Sequence, residues 1–557
     1  MAPRLARPVA PIATCSSANV RGVLDSIALR RESFLAAVVA AVGAVAVLAL
    51  APPGVDLAAH AYQRTLFLAH GFTLWNNFWY AGRYSFVGYS LVYYPLAALI
   101  GTTALAVVST SLAATAFAVL VCREWGSSAR ASSRAFAAVW PAIVLAAAFP
   151  FALGAALAML AVSALQQNRT RAFAILTVLA LASSPLAFLI LAVVLLGMAI
   201  GRRPTRARLV GPAVVVAGAG AAQLVVMRLF PSSGVFPFTF FEFLPALFFS
   251  VGGMALTYGV PRARVLYGFF GIYGVVCVLA FAIPSSLGSN IERVRYAALP
   301  LAVLVLALRP GKVRALSACV LVLAAAWNLT PAVSAVFRSS VDNTRTYWAP
   351  AIGYLHAHLS PSYRVEVVDT ADHWAAAYLP AAHIPIARGW FRQDDFPQNQ
   401  VLYDHRIARR AYLRWLRDVS VEYVILTDAP LDYSARAEAR LLRSGRSGLR
   451  EVRRVGHFTV YAVPDPRPIV NGPGRATVVR LGTSELVLSV AAPGRYHVAV
   501  RWSPYWYAAG ACVKETPGGL MSLAVRHRGI VTLRFGVNLQ RGFDTLVGLT
   551  PPQTCAS

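Results

Sequence analysis

Lysine is almost missing from this 557-residue chain: Lys312 and Lys514 stand alone among 51 basic Lys and Arg residues. Acids are scarce as well, 23 in all, so the formal net charge is +28. Only 13% of residues are charged and 57% are hydrophobic, which is too little polar surface for a soluble globular chain. The six cysteines (Cys15, Cys122, Cys277, Cys319, Cys512 and Cys555) show no metal-ligand spacing. There is no Walker loop, no dinucleotide fingerprint after a strand and no nucleophile elbow. Internal repeats and low-complexity linkers are absent too. The positive charge does not point to nucleic acid. It is nearly all arginine, and much of it sits in short loops between apolar runs, on the side where the positive-inside rule expects it.

What is present is a series of apolar runs of membrane-spanning length, roughly 17–25 residues each. They read as spans at 34–51, 103–122, 135–149, 151–167, 172–184, 186–201, 209–229, 243–258, 265–283, 296–308 and 315–335. The predicted fold class is a polytopic α-helical membrane protein with about eleven transmembrane helices and a C-terminal extracytoplasmic α/β plus β-sandwich region. The Arg-bearing leader and Ala-Leu-Ala at 49–51 resemble a signal peptide, but the apolar run is long and Pro52 follows the site, so an uncleaved first span is expected. Residues 1–33 then form a cytoplasmic tail and 34–335 the membrane domain, with a first external loop at 52–102. Everything after 335 lies outside the cell membrane. The short apolar stretch 89–101 is expected to be interfacial or re-entrant, because a full span there would invert every later loop.

Strand and helix signals alternate over 336–465, which predicts a small α/β domain. Short strands between turn signals over 466–557 predict a β-sandwich. If that part is extracytoplasmic, Cys512 and Cys555 are available to pair.

Three ionisable residues follow the first span: Asp56, His60 and Arg64, four apart and therefore along one helix face. One reading is a helix-capping acid followed by two interfacial polar residues. The other is a site in which a carboxylate is general base, His60 assists and Arg64 meets phosphate. The loop aromatics Phe72, Trp75, Phe78, Trp79, Tyr80 and Tyr84 either anchor at headgroup level or stack on a sugar. "DTADHW" (369–374) and "RQDDF" (392–396) gather acids around His373, for substrate contact, inter-domain contact or a metal. "RWSPYWY" (501–507) is a sugar-stacking patch or core.

Asp56, His60, "WNNFW" (75–79) and "GRYSFVGY" (82–89) resemble the first external loop of GT-C glycosyltransferases. The likeness is greatest to a bacterial branch labelled 6-pyruvoyl-tetrahydropterin synthase-related membrane proteins. Asn77 stands where that branch has Pro. "HWAAAYLP" (373–380), "ARGWFRQDDFPQN" (387–399) and "YVILTDAPLDYSA" (423–435) are similar to the external part of an actinobacterial membrane-protein set. No zinc-binding His triad supports pterin chemistry. The resemblance implies a transferase in the cell membrane that uses a polyprenyl-phosphate sugar and an envelope glycan, lipid or protein acceptor. It implies Asp56 as base, a second external acid (Glu242), and positive residues on the donor phosphate (Arg293 and Arg295). Some such families also hold a divalent cation. Arg293 and Arg295 have an alternative as interfacial snorkelling residues. The rival functions are a carrier or flippase for a lipid-linked precursor and a non-catalytic glycan-binding scaffold.

Overall fold

The computed structural model describes residues 17–549, apart from 204, 232–233, 310, 312–313 and 339–340. Helix α1 (Ser17–Leu50) ends at Pro52-Pro53-Gly54. The loop helices α2 (Leu57–His70) and α3 (Tyr93–Ile100) follow. With eight residues α3 is too short to cross a bilayer.

Among the described residues, eight runs are long and apolar enough to be membrane spans: Ser26–Leu50, Thr102–Ala146, Phe149–Gln166, Pro185–Arg202, Arg206–Leu229, Phe240–Thr257, Pro261–Ala282 and Arg314–Val336. Three of the eleven expected spans appear differently. Residues 135–149 fall mostly in the second half of the run 102–146, after a turn at Gly126. Residues 172–184 and 296–308 correspond to the shorter helices Thr170–Ser183 and Ala298–Leu308. The apolar pattern located the helices, but hydropathy cannot tell a full crossing from a partial one packed among neighbours.

Small residues let the helices approach. Ala36, Ala40 and Ala44 are buried at four-residue spacing along α1. The Ser111 hydroxyl of helix Thr102–Trp125 donates to Ala37 O across that face at 3.0 Å. Helix Arg206–Leu229 buries only Ala219 and leaves Val214, Leu224 and Met227 exposed, an apolar surface suited to lipid.

The C-terminal region contains two sheets. A four-stranded sheet is ordered Arg364–Val367, Val421–Thr427, Phe458–Ala462, Arg450–Val455. Its first pair is parallel and the others antiparallel.

The β region expected over 466–557 is present as a sandwich- or barrel-like sheet. Eight strands between Val470 and Phe535 form one continuous sheet, with Val470–Asn471 at one edge and Ala476–Leu481 at the other. A flat sheet of that order would hold its edges about 34 Å apart. The chain from Asn471 to Ala476 can span at most about 18 Å. The sheet therefore curls on itself, and Leu486, Leu488, Val498, Met521 and Leu533 fill its interior.

The aromatic loop holds these parts together. Trp75 lies in the barrel core, stacked on Phe535 with centroids 5.0 Å apart. The Trp79 indole donates to Ala376 O at 2.9 Å, and the Tyr80 hydroxyl to Phe391 O at 2.7 Å. These three residues are buried and packed against the C-terminal region, where headgroup anchoring or sugar stacking was expected of them. Asn77 N–H donates to Thr483 O at 3.0 Å and its side-chain amide to Gly482 O at 2.9 Å. A proline at 77 would lack that N–H. Within 501–507, Tyr505 and Trp506 are buried, and the Tyr505 hydroxyl donates to Leu229 O. The stretch is core and inter-element contact. The expected Cys512–Cys555 pairing lies outside the described residues, because Cys555 does.

Candidate functional site

The site begins with a close approach of two chain segments. A Cβ on Gly54 would lie 2.4 Å from Ala147 N, so only glycine fits there. Ala147 has φ +53°, and its carbonyl accepts from His60 Nε2 at 3.0 Å. Asp56 N–H donates to Ala146 O at 3.2 Å. The residues after the first span are thus fixed against the turn before helix Phe149–Gln166.

Asp56 stands immediately before α2 but makes no side-chain capping bond. Its carboxylate instead accepts from Arg293 Nη2 at 3.3 Å. Arg293 also faces the Tyr89 hydroxyl, and its guanidinium lies 5.6 Å from the Phe151 ring centre. Burial raises the Asp56 carboxyl above its ordinary value, against the lowering pull of Arg293, His373 and Arg338.

The other expected residues fall elsewhere. His60 uses both ring nitrogens: Nε2 on Ala147 O, and Nδ1 at 3.2 Å from the Tyr94 hydroxyl. Burial pushes it down to about 3, so it is neutral at ordinary pH and holds backbone. Arg64 Nε donates to Ala97 O at 2.8 Å near the end of α3. Glu242 closes a capping box with Thr239 at the start of helix Phe240–Thr257. Arg295 turns away from Asp56 and faces Glu292 at 3.7 Å. Burial pushes the Glu292 carboxyl up to about 7. The structure therefore brings Asp56 and Arg293 together, and leaves His60, Arg64, Glu242 and Arg295 in supporting contacts.

The C-terminal region completes the surroundings of Asp56. Arg338 donates to Pro53 O at 2.9 Å and lies 3.9 Å from Asp372. The Trp390 indole donates to Val55 O at 3.0 Å. His373, whose ring centre is 6.3 Å from that of Trp390, pairs through Nδ1 with Asp369 at 2.8 Å. Sequence reasoning singled out the 369–374 cluster but had no signal joining it to Asp56, more than 300 positions away. Tyr89 and Arg338 were not anticipated.

Arg293 also lines an apolar cavity of about 180 Å³. Phe117, Met159, Ile190, Phe269 and Leu304 bring five helices to its wall. Glu124 and Arg202, themselves an ion pair, also line it, each at the C-terminal end of its helix. A divalent cation fits poorly beside Asp56, whose neighbours are Arg293, Arg338 and His373. Among the described residues no three His, Cys, Asp or Glu side chains are grouped to hold a metal.

Neither a family profile nor a curated protein sequence matches the chain. Two solved structures of a mutant form of the arabinofuranosyltransferase AftD from Mycobacteria are similar to it. One has a TM-score of 0.49 at 14% identity, covering 91% of this chain and 60% of that one. The other has a TM-score of 0.42 at 18% identity, covering 80% of this chain and 42% of that one. The chain spans about three-fifths of the length of the first.

Proposed function

We propose that this multi-pass membrane protein is a GT-C-type glycosyltransferase. It takes a sugar from a polyprenyl-phosphate donor and passes it, with inversion, to an envelope glycan or lipid on the extracytoplasmic face. One observation carries the reading: the Asp56–Arg293 pair at 3.3 Å, with Arg293 also lining an apolar cavity in the helix bundle. A lipid phosphate needs both features, apolar wall for its chain and a cation for its head. The positive-inside reading of the arginine-rich loops supports placing the site outside.

The arrangement suits displacement at an anomeric carbon. An arriving phosphate competes with Asp56 for the Arg293 guanidinium. As Arg293 turns to the phosphate, Asp56 loses its counter-ion and becomes the stronger base for the acceptor hydroxyl. Arg293 meanwhile stabilises the charge that grows on the departing phosphate oxygen.

The test is donor turnover by purified wild type and Asp56→Asn, with a panel of polyprenyl-phosphate sugars and envelope extract. Wild-type turnover should fall roughly 10²–10⁴-fold in the variant, the usual share of a general base. Equal turnover in both would remove Asp56 from the chemistry. The cavity's extent toward Glu124 and Arg202 favours one second reading, a carrier for a lipid phosphate. Movement of a labelled lipid phosphate across sealed vesicles, unaffected by Asp56→Asn and without sugar transfer, would select it.

A further inference from the structure

We propose that Asp369 and His373 supply the acid of the transfer site, with His373 Nε2 delivering a proton to the phosphate oxygen that leaves the sugar. This rests on the transferase reading above.

The geometry is that of an oriented imidazole. Nδ1 lies 2.9 and 2.8 Å from the two Asp369 oxygens. Nε2, on the far side of the ring, has no hydrogen-bond partner among the described residues. The ring is nearly enclosed, with His373 only 8% exposed. Its backbone is held in the left-handed region at φ +57°, which is uncommon for a residue other than glycine. His373 N–H donates to Thr370 O, and the Thr370 hydroxyl donates to Asp342 at 2.6 Å, so this turn is tied on both sides. Conformations of that kind persist where the surroundings enforce them, and they gather at functional sites.

The dyad is fastened to the segment that carries Asp56. Trp390 touches the His373 ring and donates to Val55 O, one residue before Asp56. Asp372, next to His373, faces Arg338, which donates to Pro53 O. Two ties thus span residues 53–55 and 372–373, and set the two titratable groups on opposite sides of one seam.

The charges facing His373 are Asp369, Asp432 and Arg392 from its own region. Asp342 is a further acid within reach, and Asp56 faces it across the seam with Arg338 beside that carboxylate. Burial lowers the His373 pKa, but the carboxylates of Asp369 and Asp432 outweigh it, and the net direction is upward. That shift is toward the protonated form, in which each nitrogen carries a proton.

The step balances. The acceptor oxygen forms its bond to the anomeric carbon and gives its proton to Asp56. The bond from that carbon to the phosphate oxygen breaks with its electron pair on the phosphate, which takes the proton from His373 Nε2. One proton passing from Asp56 to His373 through water restores the start.

The experiment compares two donors. One is a polyprenyl-phosphate sugar that the wild type turns over; the other is the same sugar as a dinitrophenyl glycoside, whose weakly basic phenolate leaves the anomeric carbon without a proton. His373→Asn is the variant of choice because Asn tolerates the left-handed backbone. It should lose roughly 10²–10⁴-fold on the lipid donor and recover most of that on the activated one. Asp56→Asn should not recover. Asp369→Asn should move the alkaline limb of the pH profile to lower pH, because the carboxylate that holds the proton on His373 is gone. Equal loss of His373→Asn on both donors, or no loss, would overturn the assignment. If His373→Asn does not fold, an unmoved alkaline limb in Asp369→Asn overturns it instead. A wild type inert toward every donor would remove the transferase reading, and the dyad's role with it. An active wild type with a normal His373→Asn would remove the dyad alone.

Discussion

Arg293 is the residue on which the site turns, because it serves a carboxylate on one side and an apolar cavity on the other. Removing its charge has a definite sign. Arg293 lowers the Asp56 pKa against burial, so Arg293→Gln should raise it further and move the acid limb of the pH–rate profile to higher pH. A pH profile of single-turnover rates in both proteins checks this, and an acid limb that stays in place would contradict the pairing. Asp56 and Arg293 were legible in the sequence because ionisable groups are rare here and each stands out against apolar flanks. Glu242 was partly legible. Thr239 three residues before it forms the short capping-box pattern at a helix start, which explains the acid locally without a catalytic role. His60 was not legible, since its partners Tyr94 and Ala147 come from distant parts of the chain.

At the level of elements, the first external loop fastens the helical bundle to the C-terminal region. Trp75 enters the barrel core, while Trp79 and Tyr80 enter the α/β part. Truncating a fully packed Trp costs about 3–5 kcal/mol. Trp75→Ala should accordingly loosen the barrel from the loop and lower the first thermal unfolding midpoint, whereas Trp75→Phe should retain much of the ring stacking. Fluorescence-detected unfolding of the purified proteins checks this; an unchanged midpoint in Trp75→Ala would contradict the docking role. Aromatic content alone did not reveal this. Exposed interfacial aromatics and buried inter-domain ones look alike until the partner strands are known. Strand positions were legible from turn signals and alternation, but the closure of one sheet on itself depends on pairing between distant strands.

On the scale of the whole molecule, three parts meet at Asp56: the helix bundle that supplies Arg293, the loop that carries Asp56, and the C-terminal region that supplies Arg338, Trp390 and His373. Arg293 also lines the apolar cavity within the bundle. The cavity's existence was not readable from the sequence, because its lining residues differ in no way from ordinary lipid-facing or core residues of the same helices. The central claim is that a lipid phosphate lies with its head at Arg293 and its chain in this cavity. Photo-crosslinking with a polyprenyl phosphate carrying a diazirine in its first isoprene units tests this most directly. The account predicts labelling of cavity-lining peptides, such as those bearing Met159 and Phe269, that unlabelled polyprenyl phosphate displaces and Arg293→Gln abolishes. Labelling confined to the lipid-facing surface, or unchanged by Arg293→Gln, would contradict it.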